Sequence, residues 1–476
     1  MAVQLRNNLL LALGFLVVIA LVACNAGNSF FWDTIQLGSV HANYYLTTNF
    51  STLLLPNDID SGHIPAFGMY IALVWKIFGR SLEASHLAIL PFAIGIVWQL
   101  RQLTRRFIPE QYSGIAVILI LLDPTLLTQM TMVSPDVPLV LFFLMGVNAV
   151  LGNKKGWLAI SVLLLFMTSM RGMMVSVCLL SLDIYCNVNL RQKLNAVFLA
   201  LVKRSIIYLP GLILFVIYNV YHYNEKGWIG YHKDSPWAKC FERVDFKGFL
   251  LNIGFYGWRL LDFGRAGIWL VFIILFVIYR KVTIKSERAR LLLFFFICTA
   301  LLLPANMLWA KNLMAHRYLI PIYLVFALLC ATLLFADYVG KTMKVTLAFL
   351  WFIILLTGNY WAFLYPAKIA KGWESTLAHL PYYKLRHQAI AYLEAQHINF
   401  SDVDSFFPNA VAIDYIDLNN DPRVFKDFDG RSQYVFYSNV FNTDHADYDK
   451  MAAQYHVVKE FESNGVFVKI LKKGKP

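Results

Sequence analysis

The sequence predicts an all-α, multi-span membrane domain followed by a small soluble α/β domain. Of its 476 residues, 58% are hydrophobic and only 15% are charged, whereas soluble domains usually carry about 25% charged residues. Aromatic residues make up 16% of the chain, which excludes a disordered protein. Before residue 368 there are 29 Lys and Arg against 15 Asp and Glu, and from there on 13 against 14. The positive excess thus belongs to the membrane part. There it indicates which loops face the cytoplasm, and it does not indicate a nucleic-acid partner.

The membrane domain is predicted to extend over residues 1–366 and to contain about eleven transmembrane helices. A spanning helix needs about 20 mostly apolar residues. Eleven runs qualify, some of them marginally, near residues 8–26, 85–100, 109–128, 137–152, 157–171, 172–188, 205–222, 266–280, 291–310, 318–336 and 345–363. A further apolar run at residues 65–78 is short and follows polar residues, so it predicts an interfacial or re-entrant helix.

The distribution of basic residues predicts the orientation of these helices. With the N-terminus in the cytoplasm, the inner segments carry 17 Lys and Arg and the short outer loops carry five, as the positive-inside rule requires. Counting residues 65–78 as a full span would move the basic clusters at 101–106 and 154–155 to the outer side of the membrane, against the same rule. The chain is thus predicted to be a multi-pass protein of the inner or plasma membrane. Its outer segments are residues 27–84, 129–136 and 223–265.

Residues 367–476 are predicted to form an extracytoplasmic α/β domain. Strand-like runs at 433–438, 457–461 and 466–471 alternate with helical patterns at 384–396 and 448–455. Asn464-Gly465, between the last two strand-like runs, is a hairpin signal. With the N-terminus inside, an odd number of spans places this domain outside the cell membrane.

Acidic residues are scarce in the membrane part, so those on the outer side are informative. Asp33 lies just past the first span, and Asp136 lies at the outer mouth of the fourth. An ionisable group near the membrane costs desolvation energy and is a functional candidate by default. The alternatives are that Asp136 only caps the helix that follows it, and that Asp33 lies in a solvated loop.

A second polar cluster, at residues 58–65, precedes the short apolar run. Pro65 suits the first turn of a helix, and Asp60 and His63 at that terminus can bind a phosphate, a metal or a sugar. The alternative is a polar cap on a surface helix. The long outer segment at 223–265 is rich in aromatic and polar residues and predicts either a substrate lid or an interfacial helix.

The order of these motifs resembles the GT-C glycosyltransferases of the protein O-mannosyltransferase and aminoarabinose transferase type. In that family an acidic residue follows the first span, as Asp33 does here, and a His-Pro or Lys-Pro step opens a juxtamembrane helix, where His63-Ile64-Pro65 stands. A basic cytoplasmic loop follows, here residues 101–106, and then an acidic residue before Pro-Leu, here Asp136. Late in the chain an Arg-Tyr step, Arg317-Tyr318 here, precedes a span that contains a proline. The resemblance covers nearly the whole membrane domain.

The resemblance implies a GT-C fold and a membrane glycosyltransferase with Asp33 and Asp136 as catalytic residues. Such enzymes move a sugar from a polyprenyl phosphate to a hydroxyl or amine of a lipid, polysaccharide or protein acceptor at the outer membrane face. A carboxylate base is needed because the acceptor loses its proton as it attacks the anomeric carbon. The family often has a Glu where Thr34 stands. Where the aminoarabinose enzymes have a Glu before Lys-Pro, this chain has His63 or, slightly earlier, Asp60, and either would fill the second acidic role. The resemblance leaves open whether a divalent metal is bound, and it implies no other cofactor.

The leaving group in this chemistry is a lipid phosphate, whose growing negative charge needs cations. Outer-facing residues available to bind the substrate are Arg265, Lys311, His316, Arg317 and Tyr318. A guanidinium pairs two phosphate oxygens at once, which favours Arg317 as the ligand of the donor phosphate. The alternatives are interfacial anchoring for Arg265 and snorkelling to lipid headgroups for Arg317.

The alternative function is a multi-span transporter or lipid flippase. Such proteins often contain inverted repeats and mid-membrane charges, whereas this sequence has no convincing internal repeat and gathers its acidic residues at the outer surface. Asp123 is the one candidate mid-membrane charge, and beside Pro124 it equally suits a helix break. An enzyme is expected to bring Asp33 and Asp136 together at one outer cavity, and a transporter to contain a path through the membrane midplane.

Overall fold

The computed structural model of the chain describes residues 2–230, 232–235, 237–312, 314–366, 371–441 and 443–474. The membrane part of these residues contains 18 α-helices: α1 (Ala2–Cys24), α2 (His41–Thr47), α3 (Ala66–Phe78), α4 (Leu82–Leu87), α5 (Leu90–Phe107), α6 (Glu110–Leu121), α7 (Pro124–Met130), α8 (Asp136–Leu151), α9 (Lys155–Thr168), α10 (Met170–Asn187), α11 (Leu194–Ser205), α12 (Leu209–Lys226), α13 (Ala238–Phe241), α14 (Phe246–Leu261), α15 (Arg265–Lys285), α16 (Glu287–Leu302), α17 (Ile320–Leu334) and α18 (Lys341–Gly358). A π-helical turn at Ile35–Val40 precedes α2, and a 3₁₀ turn at His316–Leu319 precedes α17.

Seven helical stretches of the described residues are long and apolar enough to cross a membrane: Val3–Cys24, Leu82–Phe107, Leu194–Lys226, Arg265–Lys285, Glu287–Trp309, His316–Leu334 and Lys341–Gly358. An eighth is added if α6 and α7 are counted as one bent span. The predicted runs at 137–152 and 157–171 are the shorter apolar helices α8 and α9, and the run at 172–188 is α10. These apolar helices make the chain an integral membrane protein. The 13-residue α3 covers the run at 65–78 and is too short to span.

The predicted span at residues 109–128 is a broken helix, because the chain bends by 72° between α6 and α7. Asp123 stands at the bend, where its carboxylate accepts hydrogen bonds from the N–H groups of Thr125 (3.0 Å) and Leu126 (3.1 Å) and so caps α7. Pro124 suits the first turn of α7 because it has no N–H group. Asp123 also accepts two hydrogen bonds of 2.8 Å from Arg265. This buried ion pair fixes the bend against the start of α15.

The C-terminal part forms the predicted α/β structure. Its described residues contain α19 (Pro381–Ala395), α20 (Ile413–Asp417) and α21 (His445–Gln454), with strands β1 (Val403–Ser405), β2 (Lys426–Asp427), β3 (Tyr434–Ser438), β4 (Tyr455–Ser463) and β5 (Val466–Lys473). The strands lie in the order β2-β1-β3-β5-β4, with β1 parallel to β2 and β3, and β5 antiparallel to β3 and β4. Asn464 and Gly465, both with positive φ (50° and 77°), form the turn between β4 and β5, which confirms the hairpin signal. The predicted domain boundary falls at residues 367–370, outside the described residues.

The C-terminal domain packs directly on the outer segments that carry the two candidate carboxylates. Phe31 and Met132 are buried in its hydrophobic core, and the ring of Phe31 stacks on that of His379 at 4.9 Å between centroids. Phe31 lies just before Asp33, and Met132 lies shortly before Asp136. The core of the C-terminal domain therefore anchors both of the loops that carry these carboxylates.

Candidate active site

A cavity of about 200 Å³ lies among the segments that the distribution of basic residues predicts to be outer. The charged, polar and aromatic side chains in its wall include Asp33, His41, Ser61, His63, Arg171, Trp237, Arg243, Asn306, Asn312 and Tyr318. Its apolar wall includes Leu37, Ile64, Phe67, Met307 and Met314. All three outer segments expected from the distribution of basic residues thus contribute to one cavity, since Pro135 of the segment 129–136 also lines it.

At one side of this cavity, Asp33 and Asp136 share the guanidinium of Arg317. Its Nη2 donates to Asp33 Oδ2 and, at 3.1 Å, to the hydroxyl of Tyr318. Its Nη1 donates to Asp136 Oδ2 at 3.3 Å. The second oxygen of Asp136 accepts a hydrogen bond from Arg171, whose guanidinium lies 4.2 Å from the ring centroid of Tyr318. We call these five residues the carboxylate–arginine cluster.

The two carboxylates differ in their access to the cavity. The side chain of Asp33 is 23% exposed, whereas that of Asp136 is 1% exposed. Asp136 is the first residue of α8, where it makes no capping hydrogen bond, so the structure does not support the helix-cap alternative. Its own N–H donates to Ser134 Oγ at 3.2 Å. Asp33 can therefore contact a ligand in the cavity directly, whereas the carboxylate of Asp136 binds the two arginines.

Local backbone geometry directs Asp33 into the cluster. The preceding Trp32 has a φ of 54°, a left-handed conformation that is uncommon for a large side chain. Thr34 Oγ1 accepts from the N–H of Phe31 (3.0 Å) and donates to its carbonyl oxygen (2.7 Å). This closed turn fixes the chain at Asp33 before the π-helical turn begins.

Asp60 and His63 differ in their relation to the cavity, because His63 is one of its lining residues and Asp60 is not. Burial alone would raise the pKa of Asp60, but hydrogen bonds from His222 (3.1 Å), Lys226 and the N–H of Gly62 (2.8 Å) hold it below its ordinary value. Asp60 is therefore an ionised, fully paired anchor behind the wall. His63 itself lines the cavity, and burial lowers its pKa below the ordinary value, so its imidazole is neutral at neutral pH.

The other predicted substrate-binding residues do not line this cavity. Arg265 is buried against Asp123, and His316 Nε2 lies 2.7 Å from a carboxylate oxygen of Asp262. Lys311 is 67% exposed and pairs with Glu242 at 2.7 Å. Among the residues that the structure describes, no three His, Cys, Asp or Glu side chains form a group that could hold a metal ion.

Two solved structures share this architecture over almost the whole chain. The crystal structure of ArnT from Cupriavidus metallidurans bound to undecaprenyl phosphate has a TM-score of 0.50 and 13% sequence identity, covering 96% of this chain and 97% of that chain. The crystal structure of the same ArnT in the apo state has a TM-score of 0.51 and 12% identity, covering 99% and 98%. The chain has the ArnT fold.

The ArnT fold is a GT-C fold, so the fold class predicted from the sequence is confirmed. At 13% identity or less, the likeness concerns the course of the chain and not individual side chains. No protein-family model matches the sequence, and no curated protein sequence matches it. The roles of individual residues therefore have to be argued from the contacts of this chain itself.

Sequence reasoning did not single out three charged residues in and around the site of this ArnT-type fold. Arg171 is one of the five basic residues of the short outer loops, and that scarcity was a usable signal. Arg243 lies in the long outer segment, where nothing distinguishes it from its neighbours. Glu374 lies in the C-terminal part, and no local pattern connects it with Asp33.

Gly68 allows α3 to lie close to His41 in the cavity wall. A Cβ atom at position 68 would lie 2.4 Å from the Cβ of His41. We expect Gly68→Ala to displace His41 and to lower the free energy of unfolding by about 1–3 kcal/mol, as overpacking does, measured as a lower melting temperature in detergent. Gly156→Ala is the matched control, because a Cβ there has no atom within 4 Å. Equal melting temperatures for the two variants would contradict this close packing.

Proposed function

We propose that the chain is a membrane glycosyltransferase that moves a sugar from a polyprenyl-phosphate donor to an acceptor at the extracytoplasmic face. The observation that carries the proposal is the pairing of Asp33 and Asp136 with the one guanidinium of Arg317 beside an outer cavity. The ArnT structure with the same fold contains undecaprenyl phosphate, which supports a polyprenyl phosphate as the sugar carrier.

Asp33 is the proposed general base, because it is the carboxylate of the cluster that lines the cavity. During transfer, the bond between the anomeric carbon and the phosphate oxygen breaks, and its electron pair leaves with the lipid phosphate. A bond forms between the anomeric carbon and the oxygen or nitrogen of the acceptor, whose proton passes to Asp33. General base catalysis of this kind typically contributes about 10²–10⁴-fold to the rate.

Asp136 is proposed to act as a positioning residue. Each of its two carboxylate oxygens accepts a hydrogen bond from a different arginine, Arg171 or Arg317. A buried carboxylate with two charged donors is held firmly and in turn holds both donors. Asp136 thereby turns Arg317 towards Asp33 and Arg171 towards the cavity.

Arg171 and Arg243 are proposed to bind the donor phosphate, because both residues line the cavity and carry a positive charge. The role of Arg317 as a phosphate ligand stays a prediction. Its terminal nitrogens bind Asp33 and Asp136, so this proposal assigns the phosphate to the other two arginines. The apolar wall suits the first units of a prenyl chain. In this proposal Tyr318, which also lines the cavity, contacts the sugar.

The proposal includes the orientation of the chain. The N-terminus is placed in the cytoplasm and the C-terminal domain, from about residue 367, outside, because the inner segments then carry most of the basic residues. A lipid carrier displays its sugar at the membrane surface, so the proposal includes a cavity that lies at the outer membrane surface. Lipid, polysaccharide and protein acceptors all offer a hydroxyl or amine there, so the acceptor class is part of the test.

The test is sugar transfer by the full chain in liposomes that contain defined undecaprenyl-phosphate sugars, with release of undecaprenyl phosphate as the measurement. We expect Arg171→Ala to weaken donor affinity about tenfold or more, because a charge-assisted hydrogen bond contributes about 1.5–3 kcal/mol. Arg105→Ala is the control, since Arg105 is exposed in the predicted cytoplasmic loop. Movement of a labelled lipid across the bilayer without sugar transfer would instead identify a flippase. Unchanged donor affinity in Arg171→Ala would remove Arg171 from the phosphate site.

A further inference from the structure

The cavity wall contains uncharged polar side chains that the proposed chemistry does not use. Ser61, His63 and His41 all line the cavity. Ser61 is 5% exposed, and its hydroxyl oxygen is buried without a hydrogen-bond partner in the part of the chain that the structure describes. A buried polar atom without a partner costs free energy, so a bound ligand that pairs with this oxygen would recover that cost.

Backbone carbonyl oxygens determine where the hydrogens of the two imidazoles lie. His63 Nδ1 is 3.3 Å from the carbonyl oxygen of Ser61, and His41 Nε2 is 2.8 Å from that of Ile59. A carbonyl oxygen only accepts, so both of these nitrogens carry a hydrogen. Burial lowers the pKa of both side chains, that of His41 to about 4, and both rings are neutral at neutral pH. The second nitrogen of each ring is then an acceptor only.

The segment that carries Ser61 and His63 is held by hydrogen bonds to its neighbours. The carboxylate of Asp60 accepts from the N–H of Gly62 at 2.8 Å, and the carbonyl oxygen of Asp60 accepts from the hydroxyl of Ser235 at 2.6 Å. The carbonyl oxygen of His63 accepts from the hydroxyl of Tyr218 at 3.2 Å. Side chains on a segment that is already held lose little conformational entropy when a ligand binds.

Of the three parts of the proposed donor, only the sugar matches these side chains. The prenyl chain has no polar hydrogen, and the oxygens of an ionised phosphate diester only accept, so neither can pair with an acceptor-only nitrogen. Sugar hydroxyls both donate and accept, and they therefore suit the ring nitrogens as well as the hydroxyl of Ser61. The sugar is joined covalently to the phosphate, and the proposed phosphate ligands Arg171 and Arg243 line the same cavity.

We propose that Ser61, His63 and His41 form the subsite for the sugar of the lipid donor, in which the two imidazoles accept hydrogen bonds from sugar hydroxyls. This inference rests on the proposed function, because it takes the donor to be a sugar on a polyprenyl phosphate. It adds the class of sugar, which has free hydroxyls and no carboxylate where it contacts these residues. An ionised carboxylate only accepts and would leave both ring nitrogens unpaired.

The first experiment measures equilibrium binding of lipids to the full chain in detergent, with no acceptor present. The lipids are undecaprenyl phosphate and undecaprenyl-phosphate glucose, mannose and arabinose, and we expect at least one sugar lipid to bind more tightly than undecaprenyl phosphate. His63→Leu should weaken binding of that sugar lipid by about three- to tenfold, the usual effect of one lost hydrogen bond. Its affinity for undecaprenyl phosphate should not change, which also shows that the variant is folded.

Two further variants accompany this measurement. His63→Gln keeps an acceptor in the side chain, so it should recover part of the affinity for the sugar lipid that His63→Leu loses. His445→Leu is the matched control, because His445 is exposed at the start of α21, and it should bind every lipid as the wild type does.

The second experiment replaces the sugar of the tightest-binding lipid by each of its monodeoxy forms. Removal of the hydroxyl that pairs with His63 should weaken binding to the wild type by about three- to tenfold. The same removal should have no effect in His63→Leu, because the partner of that hydroxyl is already absent.

Four results would overturn the inference. The first is equal affinity of the wild type for undecaprenyl phosphate and every sugar lipid, and the second is an equal loss in the wild type and His63→Leu for every deoxy sugar. The third is an equal loss of affinity for undecaprenyl phosphate and the sugar lipid in His63→Leu. The fourth is unchanged donor affinity with a raised KM for a saccharide acceptor, which would assign the subsite to the acceptor. Failure of the wild type to bind any of these lipids would overturn the proposed function itself, and this inference with it.

Discussion

We expect Asp33→Asn to lower the rate of sugar transfer by about 10²–10⁴-fold, the usual contribution of a general base. An amide keeps the shape of the carboxylate and accepts a hydrogen bond from Arg317, but it does not take up the proton of the acceptor. The loss should appear in kcat with little change in the KM for the donor, because Asp33 contacts Arg317 and not the proposed phosphate ligands. Steady-state transfer in liposomes measures both constants.

The fold should survive this substitution. Asp33 is partly exposed, and Arg317 keeps its hydrogen bonds to Asp136 and Tyr318, so the free energy of unfolding should fall less than in Asp136→Asn. Asp58→Asn is a suitable control, because Asp58 is exposed in the same outer segment. Normal transfer by the Asp33 variant would remove Asp33 from the chemistry and leave the cavity as a binding site.

The central part of the site could be predicted from the sequence because ionisable residues are scarce in the membrane part. Asp33, Asp136 and Arg317 each stand at the outer end of an apolar run, so the distribution of basic residues places them at the same level of the membrane. Their shared depth in the membrane, together with the order of motifs, predicts that these residues lie close together. The fold class was predicted from the composition, the apolar runs, the alternating patterns of the tail and the order of motifs, and the likeness to ArnT confirms it.

The distribution of the other predicted residues around the helix bundle could not be read from the sequence. Arg265 and His316 also stand at outer ends of helices, yet they pair with Asp123 and Asp262, away from the cavity. Hydropathy fixes how deep a residue lies in the membrane, but not which neighbouring helix it faces. The same holds for Glu374, whose turn packs on α7 and on the 3₁₀ turn that carries Arg317 although it is distant from both in the sequence.

The bend at Asp123 has a related explanation. In the sequence, the Asp-Pro step indicates that a helix ends there. The bend of 72° depends on contacts made by the folded chain. Arg265 binds Asp123 from the start of α15 and lies 3.6 Å from the ring centroid of Tyr323 on α17. Apolar length alone therefore predicts one straight span where the structure has two helices.

The largest loss of stability is expected for Asp136→Asn. The substitution removes the charge that balances Arg171 and Arg317, one of which is deeply buried. Breaking a buried ion pair by neutralising one partner costs about 3–5 kcal/mol, because the remaining charge stays desolvated. We therefore expect a large drop in melting temperature and loss of transfer, both measured on the purified full chain in detergent and in liposomes.

A double variant separates the structural part of this loss from the chemical part. In Asp136→Asn combined with Arg171→Gln, one positive charge is removed together with the negative one, so Arg317 and Asp33 form a balanced pair. Part of the melting temperature should return, as expected for two residues in direct contact. The KM for the donor should stay raised, because Arg171, one of the two arginines proposed to bind the donor phosphate, is now absent. A melting temperature of Asp136→Asn equal to that of the wild type would show that Asp136 does not hold the two arginines together.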